Sequence, residues 1–232
     1  MKFFALFIAI ALIFASLGHI SPSTDPVSAK ADQIPITVVI DAGHGGEDGG
    51  ASTYGGLAEK ELNLLIASEL YSMLSASGIR VVMTRTEDIL LYDPSSDYKG
   101  HKKSMDLAAR LKIARETEGA ILVSIHMNAF PEPKYGGLQV YYSKNASGGV
   151  SLASSVQDKN RLLLAPQNSR KVKEAGRNIY LLDRYEGTGV LIECGFLSNP
   201  DDRANLNDEG YRKKLSAVIF YSIIQYIAEG GR

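Results

Sequence analysis

Four histidines occur in the chain, and two of them stand where a β-strand would hand a side chain to a loop. His44 lies in Val38–Gly50, VVIDAGHGGEDGG, where the apolar run Val38-Val39-Ile40 stops at Asp41 and five glycines follow, Gly43, Gly45, Gly46, Gly49 and Gly50. His126 directly follows the apolar segment Ala120–Ile125, and Glu193 follows Gly189–Ile192 in the same way. Glu59 precedes Leu62 and Ile66 at helical spacing, so it shares the inward stripe of an amphipathic helix. Taken singly, each has a plain structural reading. A lone histidine at a strand end is most often hydrogen-bonded scaffold, and an acid in a first helical turn is favoured by the helix N-terminus. Taken together, two histidines and an inward glutamate match the three protein ligands of a catalytic zinc that keeps a fourth position open. The spacing is not the compact HExxH pattern, so these ligands would have to meet through the fold. Glu193 is then a spare acid, suited to shuttle a proton from attacking water to a leaving group.

The surrounding residues divide into helpers and bystanders. Asp41 is a candidate to orient a ligand histidine through its other ring nitrogen, and Asn128 is a second candidate for such a supporting role. Glu47, Asp48 and Glu61 read as solvated. The glycine-rich turn matches neither GxGxxG nor the Lys-Ser/Thr ending of a phosphate loop. Its glycines are expected to leave room for a bulky substrate beside an open metal position. Cys194 is the rival nucleophile, but in a strand it points opposite to Glu193 and no histidine neighbours it in sequence, so it reads as a small buried apolar residue.

The elements that must position these groups alternate. Strands are expected at Ile36–Ile40, Ile79–Met83, Ala120–Ile125, Leu138–Tyr142, Asn178–Leu182 and Gly189–Ile192. Helices are expected at Glu59–Ser75, with Leu62, Leu65, Ile66, Leu70, Met73 and Leu74 inward, and at Asp106–Glu116, Ser151–Leu164 and Asp208–Glu229. Thr86–Lys103, which holds His101, reads as a polar surface loop. The alternation argues for an α/β fold, a single domain over residues 36–229 with a mostly parallel sheet covered by helices on both faces. In such sheets functional groups gather beyond the carboxyl ends of the strands, which is where His44, His126 and Glu193 fall.

With 232 residues the chain can bury a large core, its net charge of −1 implies no bulk attraction to nucleic acid, and its one cysteine excludes an internal disulfide. Residues 1–31 run Lys2, the apolar Phe3–Leu17, then Gly18, Pro22 and Pro26, the order of an export leader. The apolar run is short for a membrane span of about 20 residues. Ala29-Lys30-Ala31 fits a cleavage site, and an uncleaved anchor with a tether is the competing reading. The expected location is therefore outside the cell membrane, with membrane contact only through a retained leader. Lys159–Arg177 concentrates Lys159, Arg161, Arg170, Lys171, Lys173 and Arg177 against one acid, Glu174. It is either a solvated surface or a flank for an anionic substrate or an activating protein partner.

Four segments carry a resemblance: Asp41–Gly46 (DAGHGG), Gly56–Lys60 (GLAEK), Ser124–Ala129 (SIHMNA) and Glu193–Asn199 (ECGFLSN). In this order they resemble the signatures of the zinc-dependent N-acetylmuramoyl-L-alanine amidases of the type 3 class, over roughly residues 36–229. The resemblance implies one Zn²⁺ per chain held by His44, Glu59 and His126, with Glu193 catalytic. It implies cleavage of the amide between the lactyl group of N-acetylmuramic acid and L-alanine in peptidoglycan, and a roughly six-stranded sheet. Ala42 stands where many members have Pro, and Cys194 where many have Asn. The leader, the absence of wall-binding repeats and the segment Lys159–Leu182 are similar to spore-cortex amidases, which act in muramic-δ-lactam formation and permit germination. A vegetative autolysin or a cell-separation amidase is the alternative of the same chemistry. A zinc carboxypeptidase-like peptidase would shorten stem peptides instead, and a non-enzymatic wall-binding domain would close its zinc with a fourth protein ligand.

Overall fold

The computed structural model describes residues 35–51, 56–93, 95 and 100–231. The leader expected over 1–31, with His19, lies outside them. The strands are β1 Thr37–Ala42, β2 Arg80–Met83, β3 Ala120–Asn128, β4 Gln139–Tyr142, β5 Lys173–Glu174 and β6 Gly189–Phe196. The helices are α1 Glu59–Ala76, α2 Lys102–Glu116, α3 Gly148–Leu163, α4 Tyr180–Arg184, α5 Pro200–Asn207 and α6 Glu209–Ala228. The six strands form one sheet in the order β2-β1-β3-β6-β4-β5, parallel except where β4 meets β6. This is the α/β architecture expected, with no helix among the described residues long and apolar enough to cross a membrane.

Period-two alternation sends the strand residues to two cores. Val38, Ile40, Val123, Ile125, Val190 and Ile192 pack with Leu62, Ile66 and Leu70 of α1, Leu152 and Val156 of α3, and Leu215, Ile219 and Ile223 of α6. Val39, Leu122 and Leu191 face the other way, under Leu111 and Ala114 of α2 and Leu181 and Leu182 of α4. By the same alternation Asp41, Ser124, His126 and Glu193 belong to this second face. The register sets Asp41 beside Ser124 and His126 beside Glu193.

The structure corrects several expectations. His126 and Glu193 are not beyond strand ends: β3 continues through His126 to Asn128, with an irregularity in register there, and β6 continues past Glu193 to Phe196. Each strand keeps a pairing partner on its neighbour, so the polar side chains do not end it. In α1 Leu65 is 39% exposed and Asn63 takes the inward place. Asn178–Leu182 is not a strand. Ile179 caps the short helix α4, and Leu181 and Leu182 are both buried in one core, which an alternating strand cannot do. The edge strand is β5 instead, inside the basic stretch. Helix α5 was not expected, although its signal is local: Asn199 Oδ1 accepts from the N–H groups of Asp201 and Asp202, and Pro200 opens the first turn.

This assignment predicts that Leu181→Asp and Leu182→Asp each lower stability by about 2 kcal/mol or more, because each buries an unpaired charge. Leu162→Asp, at a site 77% exposed, should lie within about 0.5 kcal/mol of wild type. Denaturant midpoints check this; a neutral Leu181→Asp would restore the strand.

Candidate active site

Glu59 is the first residue of α1 and is 3% exposed. One of its oxygens, Oε1, lies 3.0 Å from His126 Nδ1 and 3.2 Å from His44 Nε2, and accepts from Met127 N–H at 3.1 Å. The other, Oε2, accepts from Ala51 N–H at 2.7 Å. One donor atom from each of His44, Glu59 and His126 lies within 4.8 Å of the others. Donors about 2.0–2.1 Å from a tetrahedral ion stand roughly 3.3 Å apart, so the two Glu59 spacings fit a metal in the Zn²⁺ size range. Burial alone would raise the Glu59 carboxyl, but hydrogen bonding to His126 and His44 and their charge overcome it and hold it well below the usual range. Burial would likewise lower His44, yet Glu59 and Asp48 prevail and raise it. The expected ligand trio thus converges, and the fit is one of chemistry as well as spacing: two imidazoles and a carboxylate aimed at one point.

The loop that carries His44 is held against its own strain. His44 is the one non-glycine described residue with a positive φ, 59°, which costs on the order of 1–3 kcal/mol. Two buried arginines supply the restraint. Arg110, 1% exposed, donates to Asp41 Oδ1, Asp106 Oδ2, the Ala42 carbonyl and the His44 carbonyl, each at 2.7 Å. Arg85, 2% exposed, donates to the carbonyls of Ala42 at 2.8 Å and Gly43 at 3.0 Å. Asn63 Nδ2 adds a bond to the Gly43 carbonyl at 3.0 Å. Outside this clamp Asp88 Oδ1 accepts from Gly46 N–H, and Lys60 Nζ ties Asp88 to the Gly46 carbonyl.

The supporting roles therefore change hands. Asp41 hydrogen-bonds neither histidine; its carboxylate takes Thr84 Oγ1, Ser124 Oγ and Arg110. Burial would raise Asp41, but Arg110, His126 and Ser124 hold it down. Asp48, expected to be solvated, is the acid beside a ligand: its Oδ2 lies 3.0 Å from His44 Nδ1, at an angle short of a hydrogen bond, and 3.3 Å from Lys103 Nζ. The side chain of Asn128 bonds to none of the described residues, and its carbonyl accepts from Leu197 N–H. Glu61 is exposed and closes the start of α1 by accepting from Ala58 N–H, and Glu47 pairs with Lys102 at the surface. Two of the loop glycines, Gly43 and Gly50, sit against the converging side chains rather than beside open space. A Cβ on Gly43 would stand 2.2 Å from His126 Nε2, and one on Gly50 2.5 Å from Glu59 Oε2. They make room for the ligands themselves.

Glu193 borders the trio from β6, next to His126. Its Oε2 is buried without a hydrogen bond. Burial, with the Glu59 charge adding and the histidines opposing, pushes its carboxyl up to about 6. It lines a cleft of about 280 Å³ with His44, His126, Asp48, Lys103 and Tyr180. Cys194 points into the opposite core, 2% exposed, and burial pushes its thiol up, so it is not a nucleophile.

Two imidazoles that converge on a buried carboxylate could hold a metal ion, an unpaired acid lies beside them, and all four border a mostly parallel six-stranded sheet that known proteins share. A family model described as N-acetylmuramoyl-L-alanine amidase matches residues 38–225. The germination-specific N-acetylmuramoyl-L-alanine amidase of Bacillus subtilis is 34% identical over 94% of this chain and 88% of its own. The probable cell wall amidase LytH of Staphylococcus epidermidis is 29% identical over 90% of this chain and 62% of its own, so this chain spans less than two thirds of that relative. The CwlD amidase from Clostridioides difficile, solved in complex with the GerS lipoprotein, superposes with a TM-score of 0.79 at 35% identity, covering 83% of this chain and 98% of that one. The chain belongs to the N-acetylmuramoyl-L-alanine amidase family and is an enzyme that acts on peptidoglycan.

The desolvated Glu193 leaves a signature in chelator-treated protein. Its folded pKa of about 6 exceeds the free value of 4.5, so the folded state binds this proton more tightly than the unfolded chain, and stability from this group falls as pH rises from 4.5 through 6. Glu193→Gln should therefore raise metal-free stability at pH 8 by up to about 2 kcal/mol and leave it nearly unchanged at pH 4. Equal effects at both pH values would show that Glu193 is solvated.

Proposed function

We propose that the enzyme uses zinc at His44, Glu59 and His126 to hydrolyse the amide between the lactyl group of N-acetylmuramic acid and L-alanine, with spore-cortex peptidoglycan as its substrate. The observation that carries the zinc reading is the convergence of two imidazoles on Glu59 Oε1, with a buried, unpaired carboxylate next to them. When bound, zinc would supply Lewis-acid polarisation of the scissile carbonyl and lower the pKa of water toward about 7. The chain's own part is proton traffic. Glu193, ionised, accepts a proton from the attacking water at its free Oε2. It then returns that proton to the nitrogen of L-alanine as the C–N bond breaks, leaving a lactyl carboxylic acid and a free amine. Arg110, Arg85 and Asn63 keep the His44 loop in place, and the Asp41 carboxylate is spent on that clamp rather than on the reaction.

The cortex assignment is supported by the likeness to the germination-specific relative, and by the segment Lys159–Leu182, whose Tyr180 closes one side of the cleft. The likeness to a probable cell wall amidase keeps vegetative wall turnover as the second reading. Export, to the wall or cortex space, rests on the order of charge, apolar run and breakers in residues 1–31. An activating partner is suggested by the relative solved with a lipoprotein, and exposed Lys171, Lys173 and Arg177 are the basic groups available to meet one.

Purified zinc-loaded protein should release intact stem peptides with a free L-alanine amine, faster from cortex than from vegetative peptidoglycan. Glu193→Gln should retain one zinc and lose turnover by about a hundredfold or more, whereas His126→Ala should lose the zinc. Shortened stems on mass spectrometry, or full activity in Glu193→Gln, would refute the assignment.

A further inference from the structure

A second cleft, of about 450 Å³, opens on the same sheet edge beyond Glu193, and one arginine is presented to it. Gln139 stands opposite Glu193 in the antiparallel β4–β6 ladder. Gly137, two residues before Gln139 and on the wall of this cleft, is therefore roughly 7 Å further along the edge. A peptide leaving the scissile amide advances about 3.3–3.6 Å per residue, so the cleft meets the second residue of the stem.

Arg170 is prepared in advance for an anion. Its guanidinium carbon lies 4.6 Å from the centre of the Phe196 ring, and its Nε donates to the Gly136 carbonyl at 2.9 Å. Its own backbone is tied down on both sides: its N–H donates to Asn168 Oδ1 at 3.1 Å, and its carbonyl accepts from Arg161 Nη2 at 3.3 Å. Among the described residues the two terminal guanidinium nitrogens have no partner and no carboxylate stands within ion-pair distance. Asp202, on the same cleft, makes no ion pair with Arg170; its Oδ2 accepts from Gly137 N–H at 2.7 Å and Phe196 N–H at 2.8 Å. A half-buried, stacked guanidinium with its fork unfilled has the geometry that takes a carboxylate through two parallel hydrogen bonds. Peptidoglycan stems carry free carboxylates along their length.

Resting on the amidase reading of the neighbouring site, we propose that Arg170 binds a free carboxylate of the stem peptide, at the residue after L-alanine, and so sets the enzyme's preference between acidic and amidated stems. The proposal makes Arg170 a specificity residue that touches substrate but not the reacting atoms.

The test is steady-state kinetics of the full zinc-loaded chain on two glycan fragments that differ only in whether that stem carboxylate is free or converted to its carboxamide. Wild type should favour the free acid by about ten- to hundredfold in kcat/KM, mostly through KM. Arg170→Gln should lose that preference by raising KM for the acid far more than KM for the amide, with kcat on both fragments little changed and a denaturant midpoint and circular-dichroism spectrum close to wild type showing that the variant is folded. Arg170→Lys, which keeps charge but not the fork, should fall between. Equal wild-type turnover of acid and amide, or a preference that survives in Arg170→Gln, would overturn the proposal while leaving the amidase reading intact. Cleavage of neither fragment by zinc-loaded wild type would overturn the active-site reading and this proposal with it.

Discussion

One buried oxygen governs this enzyme. Glu59 Oε1 sits at the start of a helix, out of water, and two imidazole nitrogens and a backbone N–H are aimed at it. A carboxylate in such a place is tolerated only if positive charge or donors surround it. The helix N-terminus supplies part of that, and Ala51 N–H satisfies the other oxygen. What remains is a point where His44, Glu59 and His126 all direct polar atoms, an arrangement that fits the proposed zinc. The position of α1 over the sheet edge, the glycine at 43 and the glycine at 50 all follow from the need to bring this oxygen between two rings.

The two rings are held by different means. His126 rides on a central strand with neighbours on both sides, so the sheet positions it. His44 sits in a left-handed backbone conformation in a loop, so other groups must. Arg110 carries most of that burden by gathering two carboxylates and two carbonyls at once. The cost of burying its charge is offset by Asp41 and Asp106, with good geometry and every contact at 2.7 Å. Asp41, the first residue after the apolar run of β1, is therefore an anchor for the loop and not a partner of the metal site. The anchor and the spare acid differ in their bonding. Arg110 and Asp41 are filled with hydrogen bonds, whereas Glu193 is left with a free buried oxygen and a raised pKa, the state the proposed proton carrier needs.

That His44, Glu59, His126 and Glu193 come together was legible in the sequence because three of them follow apolar strand runs and Glu59 falls on the inward stripe of its helix. The same argument would have found Arg110. It lies three residues after Leu107 and four before Ala114, on the inward stripe of α2, and an inward arginine needs carboxylates as surely as an inward glutamate needs cations. Its partner Asp41 is 69 residues away, and local periodicity does not say which strand end a helix will cover. Asn178–Leu182 was misread because a short apolar run has no period long enough to tell strand from helix. Helix α5 was missed despite its Asn-Pro start, because its polar body has little apolar stripe. The roles given to Asp41 and Asn128 failed for a simpler reason: nearness in sequence to a ligand does not place a side chain beside that ligand's second nitrogen, and the acid that reaches it, Asp48, comes from four residues on, across the glycine turn.

The central claim is that these three side chains make a zinc site with an open position, and X-ray absorption at the zinc edge of the zinc-loaded full chain tests it most directly. The account predicts one zinc per chain with nitrogen and oxygen neighbours only, at about 2.0–2.2 Å, including the scattering of two imidazole rings. A sulfur neighbour at about 2.3 Å, or a shell with fewer than two imidazoles, would contradict it.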